Sequence, residues 1–545
     1  MTDVAPPRSR LSRAAAPVAA LVILAVGLAI IDPLPVGVFY DDAMYVVLAK
    51  ALATGHGYRW LNLPGTPPAT HFPPGYPVFL AAIWRAIPNF PANVLAFKAA
   101  NAVLLALAGA GMALFARRRF GFSSLAAAVL AVAGCAVIPM LALSSLVLSE
   151  PLFLALVIPI LLFGERVIEG ERRVRDLVVL GLLAGIATLV RTHGIALVAG
   201  AVTALLVRPP ASDGASVARR SPRRRLRDAA LVGACAVAVM LPWQLWVGAN
   251  QGFVPASMRG LYESYASWLA RGLGAEGVGL LWRTLVRTSL ETAGMFATLA
   301  TPLLFSWARL VTLIALAALL VAGARRSWRT APLTTLFLAA YSAIVMLWPY
   351  TPARFIWGVW PFIVLVVALG AAEIKSWAPR RPAPIAARAI LLACSLFVAV
   401  GYARYNVRGY RGRWWSTVAR SQSANIRPVV AWARSHTRPQ DVIASNMEPT
   451  VYLYSGRLAV PVGAFSVRDY FRPATVAEAE AALRQILAAY QVDHVVVGSD
   501  TLRAAALSMA SGASPELELK GMMASGLVFA PAASSRISSR QSAKP

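Results

Sequence analysis

The sequence predicts a polytopic α-helical membrane protein of about eleven transmembrane helices, followed by a small C-terminal α/β domain. Of the 545 residues, 58% are hydrophobic and only 14% are charged, and the mean hydropathy is +0.62. Soluble globular proteins usually carry about 25% charged residues. Apolar stretches near or above ~18 residues recur along the chain, which is close to the length that crosses a bilayer.

The net charge of +28 comes from arginines clustered in short segments between the apolar stretches. This distribution is typical of cytoplasmic loops and does not indicate nucleic-acid binding. No clean small-residue cleavage site follows the first stretch, so we interpret it as a retained helix. The expected spans are 16–31, 94–116, 122–140, 146–164, 176–190, 194–207, 229–248, 299–323, 331–349, 354–374 and 387–403.

One ambiguous segment decides the orientation. Residues 176–208 could form one long helix or two short helices broken at Arg191–Gly194. Two helices of this length reach only ~22 Å each, short of a ~30 Å hydrocarbon core. A single span, however, would put the arginines between Arg208 and Arg227 outside, against the positive-inside rule. We therefore predict the broken pair, with the break lining a cavity.

This arrangement gives an inside N-terminus, an outside C-terminus and four regions. After residue 403, short helix-like and strand-like segments alternate, with strands expected at 442–445, 458–462 and 494–498. The regions are a basic N-terminus (1–15), a transmembrane domain (16–403) with long outer loops at 32–93 and 249–298, an extracytoplasmic α/β domain (404–531) and a disordered tail (532–545).

Two adjacent acids, Asp41 and Asp42, lie in the first outer loop within FYDDAMY. They could cap a helix N-terminus, or one could act as a general base, and the two roles are compatible. Residues 43–53 and 76–87 have amphipathic helical spacing that suits the membrane interface. Between them, HFPPGYP is either an ordinary turn or, through His71 and Tyr76, part of the wall of a phosphate or sugar site.

Three further ionisable residues are expected near the outer surface. Glu150, in LSEPLF, is a functional candidate by its position near a span end, or an interhelical anchor. Arg191 and Arg354 face outward against the charge rule, which suggests an anionic partner such as phosphate. The alternative for both arginines is snorkelling to lipid headgroups.

Together these motifs resemble the GT-C superfamily of integral-membrane glycosyltransferases, in particular the bacterial group of protein O-mannosyltransferases and lipid A aminoarabinose transferases. The resemblance covers residues 20 to 370 approximately, with a looser likeness beyond. Its motifs are the acidic pair followed by Tyr45, the Pro73–Pro74 turn, Ser149–Pro151, Arg191–Gly194 and Arg354–Phe362.

The resemblance implies an inverting transfer of sugar from a polyprenyl-phosphate donor to a hydroxyl acceptor (glycan, lipid or protein) outside the bacterial cytoplasmic membrane. It implies Asp41 as the base, with Asp42 and Glu150 positioning acceptor or sugar. Relatives carry a phosphate-binding lysine where this chain has Phe72. The implied phosphate ligands are Arg354, Arg191 and His71, and the implied substrate-positioning residues are Tyr45, Tyr76 and Tyr350.

Acceptor and cofactor are less constrained by the sequence. Tyr262, Tyr265 and Trp268 could help to build an acceptor pocket, or belong to an interfacial aromatic belt. We expect no cofactor and no required metal, and the three cysteines all fall inside apolar spans. The alternatives to a transferase are a polytopic lipid or sugar transporter or flippase, and a non-enzymatic membrane scaffold.

Overall fold

The computed structural model describes residues 10–208, 222–303, 305–376, 382–463, 465–511 and 514–532. The predicted tail beyond Ala532, residues 1–9 and residues 209–221 lie outside the described residues. The helices are α1 (Arg10–Ala29), α2 (Asp41–Ala53), α3 (Gly75–Ala86), α4 (Asn93–Phe120), α5 (Ser124–Cys135), α6 (Ile138–Ser145), α7 (Glu150–Glu169), α8 (Val174–Val190), α9 (Ile195–Val207), α10 (Pro222–Asn250), α11 (Tyr265–Glu276), α12 (Gly279–Ala300), α13 (Ser306–Thr330), α14 (Pro332–Leu347), α15 (Ala353–Trp357), α16 (Trp360–Ser376), α17 (Pro382–Gly412), α18 (Thr417–His436), α19 (Glu448–Ser455), α20 (Val476–Ala489) and α21 (Asp500–Ser511).

Several helices have the length and composition of membrane spans. Among the described residues, five are long and apolar enough to cross a membrane, and α5 with α6 would make a sixth if that pair, bent by 58°, is one span. Further apolar helices are shorter, at Ala16–Ala29, Thr192–Val207 and Pro332–Leu347. The fold is therefore that of a multi-pass membrane protein, and the number of eleven spans stays a prediction. The five are Asn93–Phe120, Glu150–Glu169, Pro222–Phe253, Ser306–Thr330 and Arg388–Gly412.

The predicted break between α8 and α9 is confirmed. α8 ends at Val190, Arg191 is extended (φ −144°, ψ 132°), and Thr192–Gly194 form one 3₁₀ turn before α9 begins. The turn of Pro73 and Pro74 is packed against this point. A Cβ on Gly75 would lie 2.7 Å from the carbonyl oxygen of Leu189, so only glycine allows the start of α3 to approach so closely.

One expectation about the predicted outer loops is wrong, and one of these segments holds helices that were not predicted. α2 is not an amphipathic interface helix, because α3 and α19 pack on it and side chains around its whole circumference are buried. Residues 249–298 hold α11 and most of α12, two helices that the sequence analysis did not predict. The arginines and glutamate of α12, such as the pair Arg287 and Glu291 at 2.9 Å, lowered its hydropathy and hid the helix.

The C-terminal region contains one five-stranded sheet. Its strands are β1 (Val442–Ser445), β2 (Leu458–Val460), β3 (His494–Val497), β4 (Leu517–Met523) and β5 (Gly526–Pro531), in the order β2-β1-β3-β5-β4. β1 is parallel to β2 and β3, with Val442 opposite Leu458 and Ile443 opposite His494. The three predicted strands are confirmed in position, and the antiparallel hairpin of β4 and β5 was missed.

The sheet region is packed directly on the first outer loop. Gly37 has a φ of +98°, and a Cβ there would lie 1.7 Å from Oγ1 of Thr450, so the two segments meet backbone to side chain. The Val36 N–H donates to the hydroxyl of Tyr454 at 3.0 Å. The carboxyl ends of the parallel strands, where α/β sheets commonly bind ligands, therefore lie beside the acidic pair.

Candidate functional site

A cavity of about 890 Å³ lies between the segment that joins α1 to α3, the break after α8, the segment around α15 and the C-terminal sheet. It gathers side chains from regions more than 300 residues apart in the chain. The predicted site residues that line it are Asp41, Tyr45, His71, Arg191, Tyr350 and Arg354. The other three, Asp42, Glu150 and Tyr76, lie behind its wall.

An alternating chain of charges forms one wall of this cavity. Nη1 of Arg354 donates to Oδ2 of Asp41 at 2.5 Å, and its Nε donates to Oε1 of Glu150 at 2.6 Å. Nη1 of Arg191 lies 2.7 Å from the same glutamate oxygen. Glu150 thus holds both arginines from behind, while Asp41 and the arginines face the cavity.

Two hydrogen-bonding atoms of this charge cluster have no partner in the described part of the chain. Oε2 of Glu150 and Nε of Arg191 are buried and have no hydrogen-bond partner among the described residues. Arg354 lies over the ring of Phe39, with its guanidinium carbon 4.9 Å from the ring centroid. A buried cation with an unused N–H beside an open cavity is suited to an anion, because guanidinium groups bind phosphate through several hydrogen bonds at once.

The two adjacent acids occupy different environments. Asp42 is fully buried, and its two carboxylate oxygens accept the backbone N–H groups of Gly37 at 2.9 Å and Phe39 at 3.1 Å. Burial raises the pKa of Asp42 to about 6, against the lowering effect of those two bonds and of Lys98. Asp42 therefore fixes the loop that presents Asp41, whose side chain is 28% exposed.

The HFPPGYP segment contributes more to shape than to charge. The Tyr76 hydroxyl donates to Oδ1 of Asn101 at 3.2 Å, away from the cavity. Phe72 is buried against Tyr45 at a ring-centroid distance of 4.6 Å, so the position that bears a lysine in the related group is apolar packing here.

His71 is constrained to one tautomer. Its Nδ1 lies 2.5 Å from the carbonyl oxygen of Glu263, and because a carbonyl only accepts, Nδ1 carries the proton. Burial lowers the pKa of His71, partly offset by that bond. The neutral ring then offers Nε2 as an acceptor, which does not suit the phosphate ligand that the resemblance implies.

A third buried acid, Glu448, was missed by the sequence reasoning. It is the first residue of α19, and its Oε1 accepts the hydroxyls of Tyr262, at 2.9 Å, and Tyr40. Burial raises its pKa to about 7. Tyr40 precedes Asp41 and has a left-handed backbone (φ 64°), so this bond holds a strained residue next to the charge cluster. The available signal was the Glu-Pro start of a helix, which Glu448 shares with Glu150.

The three aromatic residues predicted for an acceptor pocket lie in two different environments. Tyr265 and Trp268 line the cavity, whereas Tyr262 is fully buried with its hydroxyl bonded to Glu448 and to Nδ2 of Asn62. In the part of the chain that the structure describes, no group of three or more His, Cys, Asp or Glu side chains could hold a metal ion.

Comparison with solved structures finds the same fold from end to end. ArnT from Cupriavidus metallidurans bound to undecaprenyl phosphate matches with a TM-score of 0.55 and 14% identity, over 95% of this chain and 98% of that chain. Its apo state matches with a TM-score of 0.52, 14% identity and the same coverage. AglB, the archaeal oligosaccharyltransferase from Archaeoglobus fulgidus, in complex with an inhibitory peptide and a dolichol-phosphate, gives 0.47 at 13% identity, over 92% and 71%.

No family model and no curated protein sequence matches the chain. The likeness to ArnT therefore concerns the fold, and it extends through both the helical region and the C-terminal sheet. The chain therefore has the fold of the ArnT structures.

Proposed function

We propose that the protein is an inverting glycosyltransferase that moves a sugar from a polyprenyl-phosphate donor to a hydroxyl acceptor at the outer face of the cytoplasmic membrane. The observation that carries the proposal is the Asp41–Arg354–Glu150–Arg191 chain, which faces a cavity of about 890 Å³. It is supported by the fold, which is shared over its whole length with a structure of ArnT bound to undecaprenyl phosphate.

Asp41 is the base in this proposal. Arg354 holds its Oδ2, which leaves Oδ1 to take the proton of the acceptor hydroxyl. The acceptor oxygen forms a bond to the anomeric carbon as the bond between that carbon and the phosphate oxygen breaks. The electron pair of the broken bond leaves with the lipid phosphate, so a single displacement inverts the anomeric configuration.

The leaving phosphate gains negative charge during this step and needs cations near the departing oxygen. Arg191 and Arg354 supply them, since both line the cavity and their charges are fixed in position by Glu150. Cations that are already ordered in a partly dehydrated site stabilise developing charge without further reorganisation. In this scheme Glu150 is a positioning residue for the arginines, and Asp42 is a positioning residue for the loop.

The test is the turnover of purified Asp41→Asn protein with a panel of synthetic polyprenyl-phosphate pentoses and hexoses, followed by mass spectrometry. We expect transfer or slow donor hydrolysis to fall by roughly 10²–10⁴-fold, the usual contribution of a general base. Asp32→Asn is the matched control. Asp32 lies in the same loop, its side chain is 27% exposed against 28% for Asp41, and it also pairs with an arginine, Arg420 at 3.1 Å.

Full activity of Asp41→Asn, or equal loss in both variants, would remove Asp41 as the base. If the wild-type protein consumes no donor but moves labelled polyprenyl-phosphate sugar across proteoliposome membranes, the protein is a transporter. Donor binding without consumption or movement would indicate a non-enzymatic lipid-binding protein.

A further inference from the structure

The cavity has a second polar region, at the carboxyl edge of the C-terminal sheet. Asn446 follows β1 and Ser499 follows β3, and both line the cavity together with Glu448. β1 and β3 are adjacent and parallel, so the residues that follow them lie side by side. The side chain of Asn446 is indeed beside Gly498, 3.8 Å from the position of a Cβ there.

Two oxygen atoms in this region lack partners. Oδ1 of Asn446 and Oε2 of Glu448 are both buried, and neither accepts a hydrogen bond from any described residue. Glu448 is fully buried, and its other oxygen is already fixed by two tyrosine hydroxyls. Because a buried acceptor without a partner is costly, Asn446 and the ionised form of Glu448 together suit a ligand that brings two neighbouring hydrogen-bond donors.

Aromatic side chains line the same cavity. The rings of Trp268 and Phe465 are stacked at 5.7 Å with an interplanar angle of 7°, and Trp348 packs on Trp268 at 5.5 Å. All three side chains line the cavity. A cavity that combines aromatic side chains with hydrogen-bond acceptors suits a pyranose ring, which has an apolar face and an edge of hydroxyls.

We propose that this region binds a sugar acceptor with adjacent free hydroxyls, through Asn446 and Glu448 and the aromatic side chains that line the same cavity. The inference rests on the proposed transferase function and names its acceptor as a glycan. A peptide serine or threonine offers one hydroxyl beside a backbone N–H, so the measurement below compares the two kinds of acceptor directly. The acceptor would lie beside Asp41, because Tyr40 joins that residue to Glu448.

The experiment uses full-length protein in detergent and methyl pyranosides of glucose, mannose and galactose, each beside its monodeoxy analogues. Binding is followed by saturation-transfer NMR, and transfer by mass spectrometry with the donor that the protein consumes. For the pyranoside that binds, we expect loss of one of two adjacent hydroxyls to weaken binding roughly tenfold. In Asn446→Leu, the loss of the same hydroxyl should weaken binding only about twofold or less. In the control Asn425→Leu, on the exposed face of α18, it should still weaken binding roughly tenfold.

The penalty is a ratio within one preparation, so a poorly folded variant cannot imitate the result. Pyranosides that do not bind, equal binding of parent and deoxy compounds in the wild type, or transfer to N-acetylthreonine methylamide in their place would overturn the inference. Donor consumption tests the transferase separately. If the protein consumes donor but binds no pyranoside, the transferase function stands and the sugar subsite is wrong. If it binds a pyranoside but consumes no donor, the sugar subsite stands and the transferase function is wrong.

Discussion

The two ends of α7 each carry a fully buried glutamate, and the two are used differently. At one end, one oxygen of Glu150 accepts a hydrogen bond from Arg354 and forms an ion pair with Arg191, and the other oxygen has no partner among the described residues. Near the other end, Glu165 accepts the N–H and the hydroxyl of Thr334, at 2.8 and 2.7 Å, through one oxygen. Its second oxygen accepts the N–H of Leu333 at 3.3 Å, so it caps the start of α14.

Burial alone therefore does not distinguish a functional acid from a structural one. Glu165 is saturated by a helix N-terminus, whose N–H groups lack partners within the helix. Glu150 is paired with cations that also reach a cavity, and the cluster keeps unused hydrogen-bonding capacity. The distinguishing feature is whether the partners of the acid are themselves available to a ligand.

Changing the two glutamates to glutamine tests this distinction and should give the largest effect. Glu150→Gln leaves the buried Arg191 without a carboxylate partner and leaves Arg354 with Asp41 alone. Removal of one partner from such a buried pair commonly costs 3–5 kcal/mol. We expect turnover per folded molecule to fall at least ~100-fold, while undecaprenyl phosphate still binds.

Glu165→Gln is the matched change at the other end of α7. It should lower the thermal midpoint, because one N–H or hydroxyl of α14 faces an amide NH₂, but leave turnover per folded molecule unchanged. The measurements are size-exclusion chromatography, thermal unfolding and turnover of the same preparations. Equal loss of turnover in both variants would mean that the two glutamates do not differ in the way described.

Arginine-to-lysine changes at the two ends of α7 test the same difference, and we expect a smaller loss of activity from them. Arg354 bridges Asp41 and Glu150 through two different nitrogens, which the single nitrogen of lysine cannot reproduce. We expect Arg354→Lys to lower kcat/KM roughly 10- to 100-fold, the value of a charge-assisted hydrogen bond. Arg119 is the control, since it pairs with Glu169 at the other end of α7 and is equally exposed, at 13%.

Arg119→Lys should change stability and leave kcat/KM close to that of the wild type. If Arg354→Lys retains full kcat/KM, the bridge between the two carboxylates is not needed for transfer. A kcat/KM equally reduced in both variants would point to a general loss of packing around α7.

The sequence predicted the parts of this fold that depend on local composition. Apolar length located most helices, and the arginines near residues 208–227 fixed the break at Arg191, because a single span would have reversed the charge rule. Alternating short segments located β1, β2 and β3. α12 was missed because its charged residues interrupt the apolar pattern that the prediction relied on.

The site was predictable only in part, since its geometry depends on contacts between distant segments. The order of motifs indicated Asp41, Glu150, Arg191 and Arg354, but it could not show that Glu150 holds both arginines. Glu448 lies 408 positions from Tyr40, and no local pattern relates the two. The Glu-Pro start of its helix is not specific to a functional site, because proline is common at the first position of any helix.

Glu448 is intermediate between Glu150 and Glu165 in how fully its oxygens are hydrogen-bonded. We expect its ionisation to affect the stability of the protein. One of its oxygens is fixed by tyrosines and the other is unpartnered, and burial raises its pKa to about 7 from a usual 4.5. A pKa raised on folding means that the folded protein binds the proton more tightly. The stabilisation is therefore complete below pH ~4.5 and is lost as pH rises through ~7, by on the order of 3 kcal/mol.

Thermal midpoints at pH 5 and pH 8, in wild type and Glu448→Gln, measure this effect. We expect the wild-type midpoint to fall more between the two pH values than that of the variant, because glutamine cannot ionise. Asp42, whose pKa is about 6, contributes to the fall with the same sign in both proteins and cancels in the difference. Equal falls would mean that Glu448 is ionised at both pH values, which would require a cation or a second set of donors at its free oxygen.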